Sequence, residues 1–296
     1  TVLRSASPDA LILDLTTIGV AVGIAVMQVA MPPLVREWLP QRIPLATAVY
    51  TNGLLIGETL PVMLMLPVVL PLAGGSWRIG LSVWAAPMLA IAVAIAVFAP
   101  RKPHAAVRVA GPPRRWWPDW RNSTVWRLGL MFGSVNSMYF ATNAFPPDYM
   151  HAIGRPDLVS AALSALNIGQ LPASLMLLAI ASRLERRAWP IVAFSTMCLI
   201  SYAGILSADG FWIVAGCALL GFAASSIFVL ILALPPRLSA PDDVHRVSAA
   251  MFTISYSCAV IVPIISGIAW DLTRVPSIAF ALIALCSLIV ACIALS

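Results

Sequence analysis

Charge is scarce in this sequence. Asp, Glu, Lys and Arg make up 10% of its 296 residues, where a soluble domain carries about 25%. The apolar set AVILMFWYC fills 60% of positions, so there is too little polar surface to cover a water-soluble globule, and apolar side chains must face lipid. Cysteine is sparse and unpaired: Cys198, Cys217, Cys258, Cys286 and Cys292 all lie inside apolar runs, with no CxxC and no nearby His. They read as small apolar filler, which excludes a redox or metal centre. His104, His151 and His245 fall in loops, and no apolar run pairs a nucleophile with an obvious base; this counts against an intramembrane enzyme. The P-loop GxxxxGK[ST] is also missing, so in a multi-component pump any nucleotide would be bound by another chain. No cofactor is implied. The net charge of +6 does not point to nucleic acid, because the basic residues sit in short loops between apolar runs.

Long apolar runs are what the sequence has in quantity. A helix needs about 20 apolar residues to cross the hydrocarbon core. Nine such runs stand at 11–31, 44–70, 79–99, 125–146, 158–181, 189–207, 211–234, 247–269 and 275–295. They are continuous rather than alternating, which excludes a barrel and predicts an all-α polytopic bundle whose helices satisfy their own backbone groups in lipid. Lys and Arg set the orientation. Of the 18, only Arg4, Arg78, Arg155 and Arg274 fall on one side. The other fourteen are predicted to be cytoplasmic, with the first residue of the chain outside and the last inside, in a cell (inner) membrane. Nine of the ten Trp residues lie in loops or at run ends, Trp84 being the exception, as expected for interfacial indoles.

Residues 100–124 form the longest and most basic connection. They divide the chain into 1–99, with three runs, and 125–296, with six. Trp116, Trp117 and Trp120, beside Arg114, Arg115 and Arg121, are expected either to rest on the anionic cytoplasmic leaflet or to belong to a solvated linker. A weak repeat links MPPLVREWLPQRIPLATAVYTNG with LPPRLSAPDDVHRVSAAMFTISY. Each has a Pro pair (Pro32-Pro33, Pro235-Pro236), a basic residue (Arg42, Arg246) and a tyrosine in the next run (Tyr50, Tyr256). Parallel repeats of this kind occur in membrane transporters.

The stretch AVMQVAMPPLVREWLPQRIPLATAVYTNGLLIGETL, then GGSWRIGLSVWAAP, resembles helices four to six of major facilitator transporters. NIGQLPASLMLLAIASRLERR and RVSAAMFTISYSCAVIVPIISGIAWD resemble the eighth and eleventh helices of that superfamily's cyanate and 2-nitroimidazole transporters. The resemblance covers nearly the whole chain and implies a twelve-helix, two-lobe fold. The nine runs would then be helices four to twelve, with 100–124 as the inter-lobe linker. A chain truncated at its N-terminus is therefore expected.

Polar groups at membrane depth are costly, so each is a candidate site. Glu58 lies mid-run, with Thr47 and Thr51 on its face at i−11 and i−7 and Pro61 three residues on. Proline removes the hydrogen bond to the Gly57 carbonyl, so the helix can bend there. Asn136, Tyr139 and Asn143 share one helical face; Asn167 and Gln170 precede Pro172; Tyr256 stands above Pro263. Each can line a solute path or bind helix to helix. Asp14 is near enough to a run end to reach the interface. Gly19 and Gly23 form a GxxxG expected to mark a close helix contact. These features lead to a secondary transporter that moves a small polar or anionic solute by alternating access, with proton coupling at Glu58. The resemblance implies cyanate-like anions or nitroheterocycles. The lipid bilayer, the solute and protons are the expected partners, and no obligatory protein partner is implied. An intramembrane enzyme and a membrane subunit of a multi-component transporter are the alternatives.

Overall fold

The computed structural model describes residues 2–39, 41, 43–98, 117–184, 187–207, 209–232, 234–239 and 243–296. In chain order the helices are α1 (Val2–Ser5), α2 (Ala10–Trp38), α3 (Ile43–Leu64), α4 (Leu70–Leu72), α5 (Trp77–Val83), α6 (Ala85–Phe98) and α7 (Ser123–Ala152). They continue as α8 (Val159–Leu184), α9 (Trp189–Ser207), α10 (Phe211–Leu232), α11 (Pro235–Leu238), α12 (Val244–Thr273) and α13 (Ile278–Leu295). A π-helical turn, Met65–Val69, joins α3 to α4, and a 3-10 turn, Pro156–Leu158, leads into α8. Every apolar run is thus helical. By length and apolarity alone, seven segments of the described residues can cross a membrane. The remaining long helices, α3 and α7, are the ones that carry Asn52, Glu58, Asn136 and Asn143, and these polar residues dilute their apolar character.

Helix starts follow local chemistry. Asp9 caps α2 by accepting from the Ile12 N–H at 2.9 Å, and Asn122 caps α7 by accepting from the Thr124 N–H at 2.9 Å; each side chain satisfies a backbone donor that the helix cannot. Gly74 and Gly75 take φ of 62° and 78° after α4, where a Cβ would be strained.

Two runs differ in detail from the sequence expectation. The run at 44–70 does not stay α-helical but widens into the π-turn around Pro67. The run at 79–99 begins at Trp77 and breaks at Trp84, between α5 and α6. Pro67 has no N–H, and its ring crowds the carbonyl four residues back; a π-turn relieves that crowding by admitting one more residue.

The chain divides into two units, residues 1–47 with 60–116 and residues 48–59 with 117–296. In the first, Arg78 donates to the Ser7 carbonyl at 3.2 Å and Ser82 to Ser5 Oγ at 2.7 Å, tying the N-terminal turn to α5. Most large apolar side chains of α2 and α6 are exposed, as suits lipid-facing helices. In the second, α12 packs along α7 and α10 along α8 and α9, while α13 packs on α7 and α9. Phe132, Tyr202, Ile227 and Phe280 lie in its buried core.

Close helix contacts in the second unit rest on glycine. A Cβ on Gly169 would strike the Ala218 carbonyl oxygen, and one on Gly221 the Leu166 carbonyl oxygen, so α8 and α10 touch backbone to backbone. Gly129 and Gly133 similarly admit Ile254 and Cys258 of α12. The contact expected at Gly19 and Gly23 is not found: among the described residues nothing lies within 4 Å of where their Cβ atoms would be.

Only the end of the basic connection is described. Arg101, Lys102, Arg108, Arg114, Arg115 and Trp116 lie outside the described residues, as do Arg42 and the side chains of Thr47, Pro32, Pro33 and Pro236. Trp117 is exposed, whereas Trp120 is half-buried against the core. The Trp120 carbonyl accepts from Trp126 Nε1 at 2.8 Å. Trp120 is thus held by packing within its own unit. Arg246 Nε donates to the Trp117 carbonyl at 2.7 Å and anchors this segment to the start of α12.

Candidate functional site: a polar cluster at membrane depth

Three segments of the second unit converge on one polar cluster: residues 48–59 of α3, the middle of α7 and the middle of α8. Asn167 is its hub and is fully buried. Its Oδ1 accepts from the Tyr139 hydroxyl at 2.9 Å and from Gln170 Nε2 at 3.3 Å. Its Nδ2 donates to Asn143 Oδ1 at 3.1 Å and to the Leu163 carbonyl at 2.8 Å. A primary amide has two acceptor sites on oxygen and two N–H donors, so the Asn167 side chain is saturated. Asn143 is held in turn, donating to the Tyr139 carbonyl at 2.9 Å.

Helix α3 brings Glu58 to the cluster, where its carboxyl meets the Tyr139 hydroxyl. The next residue, Thr59, reaches the Asn167 backbone carbonyl at 3.3 Å while also lying 2.8 Å from the Leu55 carbonyl. About two turns before Thr59, Asn52 Oδ1 accepts from Ser174 at 2.6 Å. Glu58, Tyr139 and Asn143 are half-buried, and Thr59, Gln170 and Ser174 are buried. Between Arg42 and Arg78, between Arg127 and Arg155, and from there to Arg183, the sequence has no Lys or Arg. The Arg residues of α7 and α8 stand near the helix ends, at Arg127 and Arg183, so among the described residues no cation of these helices meets Glu58. The cluster can hold a hydrogen-bonding solute among amide, phenol and carboxyl groups, and it can hold a proton at Glu58. No group of three or more His, Cys, Asp or Glu residues suited to a metal exists among the described residues.

Five of the residues singled out from the sequence meet here: Glu58, Tyr139, Asn143, Asn167 and Gln170. Thr51 is buried on α3. Asn136 lies elsewhere and donates to Ser255 Oγ of α12 at 2.7 Å, next to the Gly129–Gly133 contact. Tyr256 stacks on Phe252, ring centroids 6.3 Å apart, and Phe252 meets Phe132 edge-on. Asp14 is exposed on α2. Sequence reasoning missed Asn52, Thr59 and Ser174. The amide of Asn52 inside an apolar run was a usable signal. Thr59 and Ser174 gave none, because hydroxyls in helices commonly bond to their own backbone.

In the turn that leads into α8, Arg155 and Asp157 form an exposed ion pair at 3.0 Å. The hydrogen bond from Arg155 holds the Asp157 carboxyl below the usual carboxylate range.

Comparison with known proteins agrees with the helical architecture. The family model described as Major Facilitator Superfamily matches residues 6–263. The chain is 21% identical over 259 residues to the uncharacterized transporter YycB of Bacillus subtilis (strain 168), covering 86% of this chain and 63% of that protein. It is 27% identical over 206 residues to the cyanate transport protein CynX of Escherichia coli (strain K12), covering 67% of this chain and 50% of that protein. The chain thus spans less than two thirds of the length of either relative. With seven helices apolar and long enough to cross a membrane among its described residues and a family match over most of its length, this chain is a multi-pass membrane protein that belongs to the Major Facilitator Superfamily.

Proposed function

We propose that this chain forms most of a secondary transporter that moves a small polar or anionic solute by alternating access, with Glu58 as its proton site. The superfamily is one of transporters rather than enzymes, and the name of one relative, a cyanate transport protein, makes a cyanate-like anion the first solute to test. The observation that carries the reading is the cluster around Asn167. It gathers four amide or hydroxyl side chains and one carboxyl at membrane depth, where each polar group is costly unless it is used. Glu58, Tyr139, Asn143 and Gln170 are the proposed path residues, with Asn167 positioning them and Thr51 continuing the α3 face. Asn136 and Tyr256 serve helix packing. Residues 1–99 would belong to one lobe and 125–296 to the other, with 100–124 as a cytoplasmic linker in the cell membrane; the excess of Lys and Arg on that side supports this orientation.

Glu58→Gln keeps the size and much of the hydrogen bonding of the side chain but cannot lose a proton. In proteoliposomes containing the intact protein, with labelled cyanate as the probe, the variant should retain exchange between the two sides and lose accumulation driven by a pH gradient. Accumulation at the wild-type level would make Glu58 a packing residue.

A further inference from the structure

Tyr139 has more acceptors around it than it can serve. Its hydroxyl meets two groups that call for a proton, Asn167 Oδ1 at 2.9 Å and the Glu58 carboxyl. The amide side chains of Asn143 and Gln170 are its other polar neighbours. A phenol has one O–H to give. If Glu58 is ionised, both oxygens compete for that proton, and the charged one wins because charge-assisted hydrogen bonds are roughly twice as strong as neutral ones. If Glu58 carries a proton, the conflict disappears: the carboxyl O–H donates to the Tyr139 oxygen, and the Tyr139 O–H goes to Asn167.

We infer that Tyr139 is a positioning residue that reports the protonation of Glu58 to α8: its O–H points to Asn167 when Glu58 is protonated and to Glu58 when Glu58 is ionised. The proton released by Glu58 leaves to water, and Tyr139 keeps its own throughout. In the ionised state Asn167 Oδ1 retains only Gln170, at 3.3 Å, and α7 loses one of its two side-chain bonds to Asn167. The bond that remains is the one between Asn143 and Asn167. Proton release would thus loosen α7 from α8 at the depth where the solute is proposed to bind. Among the described residues, Tyr139 on α7 is the ionisable side chain that faces Glu58, α8 presents the amides Asn167 and Gln170, and the Arg residues of these two helices stand near their ends, at Arg127 and Arg183. The inference rests on Glu58 being the proton site, and its test separates the two ideas.

The test is infrared difference spectroscopy of the intact protein in lipid, titrated with pH and carrying ring-labelled tyrosine, with no solute added. In the wild type, one carboxylic-acid carbonyl component beyond those of the eleven other Asp and Glu residues should be lost on ionisation, together with a shift of a tyrosine C–O band at the same pH. Glu58→Gln should lose both changes. Tyr139→Phe should keep that acid component and lose the tyrosine shift. If Tyr139→Phe does not assemble, the wild type and Glu58→Gln decide the question alone. Survival of that acid component in Glu58→Gln overturns the proton site and this inference with it. An acid component abolished by Glu58→Gln with a tyrosine band that never moves, or that still moves in Tyr139→Phe, overturns the relay alone.

Discussion

Replacing Gly221 with alanine should destabilise the protein, although alanine is the better helix former. The substitution gains about 1 kcal/mol of intrinsic helix propensity. Against this, the new Cβ would overlap the Leu166 carbonyl oxygen and lie 2.9 Å from its carbon. These are backbone atoms, with no flexible end to swing away, so α8 and α10 must move apart along their contact. Overpacking costs about 1–3 kcal/mol. With a rigid neighbour the upper end applies, leaving a net loss of roughly 2 kcal/mol, or roughly thirtyfold in the folding equilibrium. Gly169→Ala meets the Ala218 carbonyl in the same way and should cost a similar amount. Once one alanine has opened the contact, the second fits the gap. The double variant should therefore lose roughly 2 kcal/mol rather than the sum, a coupling within the range found for residues that share a contact. Gly204 sits in α9 with nothing within 4 Å of its Cβ position among the described residues, so Gly204→Ala should be neutral or stabilising. Reversible unfolding in mixed micelles, followed by Trp fluorescence, measures all four variants. Gly221→Ala as stable as Gly204→Ala, or a double variant equal to the sum of the singles, would refute backbone contact at this crossing.

Asn136→Ala removes the bond to Ser255 and should lower abundance, by about 1 kcal/mol of stability on the scale of interhelical hydrogen bonds. Solute affinity per folded molecule should not change, whereas Asn143→Ala should shift affinity more than abundance; transport normalised to protein level separates the two. Cysteines placed at Arg108 and at His151 should differ in whole cells: a membrane-impermeant thiol reagent should label the second and not the first, and the opposite pattern reverses the orientation. The Arg155–Asp157 pair should add its small stabilisation above the ordinary carboxylate pKa and lose it as pH falls through the lowered pKa of Asp157. Asp157→Asn should flatten that acid limb in a thermal unfolding series, and an unchanged limb would mean the pair contributes nothing.

Helix positions were easier to read from the sequence than helix interiors. Run length and apolarity decide whether a segment can cross lipid, so all nine runs are helical. Breaks within runs depend on local crowding: Pro61 stays inside α3, whereas Pro67 lies in a π-turn, and nothing in their immediate sequence separates the two. The polar residues stood out because such groups are rare at membrane depth. Their partners did not. Asn136 and Asn143 are only about 20° apart around a helix of 3.6 residues per turn, yet Asn136 meets α12 and Asn143 meets α8. Neighbouring helices cross, so depth along α7 selects the partner as much as angle does. The glycines show the same limit. The GxxxG at Gly19 and Gly23 has nothing close to it among the described residues, while the one at Gly129 and Gly133 holds α12. Spacing marks where two backbones can meet, and the partner decides whether they do.

Helix α7 is therefore built with two different contacts. Toward α12 it presents Gly129, Gly133 and Asn136, a close glycine contact closed by one amide–hydroxyl bond. That arrangement holds no carboxyl to take up or release a proton and can change only by separating the backbones. Toward α8 it presents Tyr139 and Asn143, joined to Asn167 through side-chain tips. Those bonds can exchange partners while the backbones stay in place, and a proton at Glu58 is enough to redirect one of them. Asn167 cannot itself be the solute ligand without first giving up a bond, because both its oxygen and its nitrogen are fully used. A solute or a proton must act on the residues that surround it, and a change at Tyr139 or Asn143 reaches α8 through this one side chain. Because Leu166, its neighbour in sequence, lies in the α8–α10 contact, opening that contact with Gly221→Ala should also displace Asn167. The variant should then weaken solute affinity per folded molecule, and unchanged affinity alongside lost stability would mean that the contact and the cluster are independent.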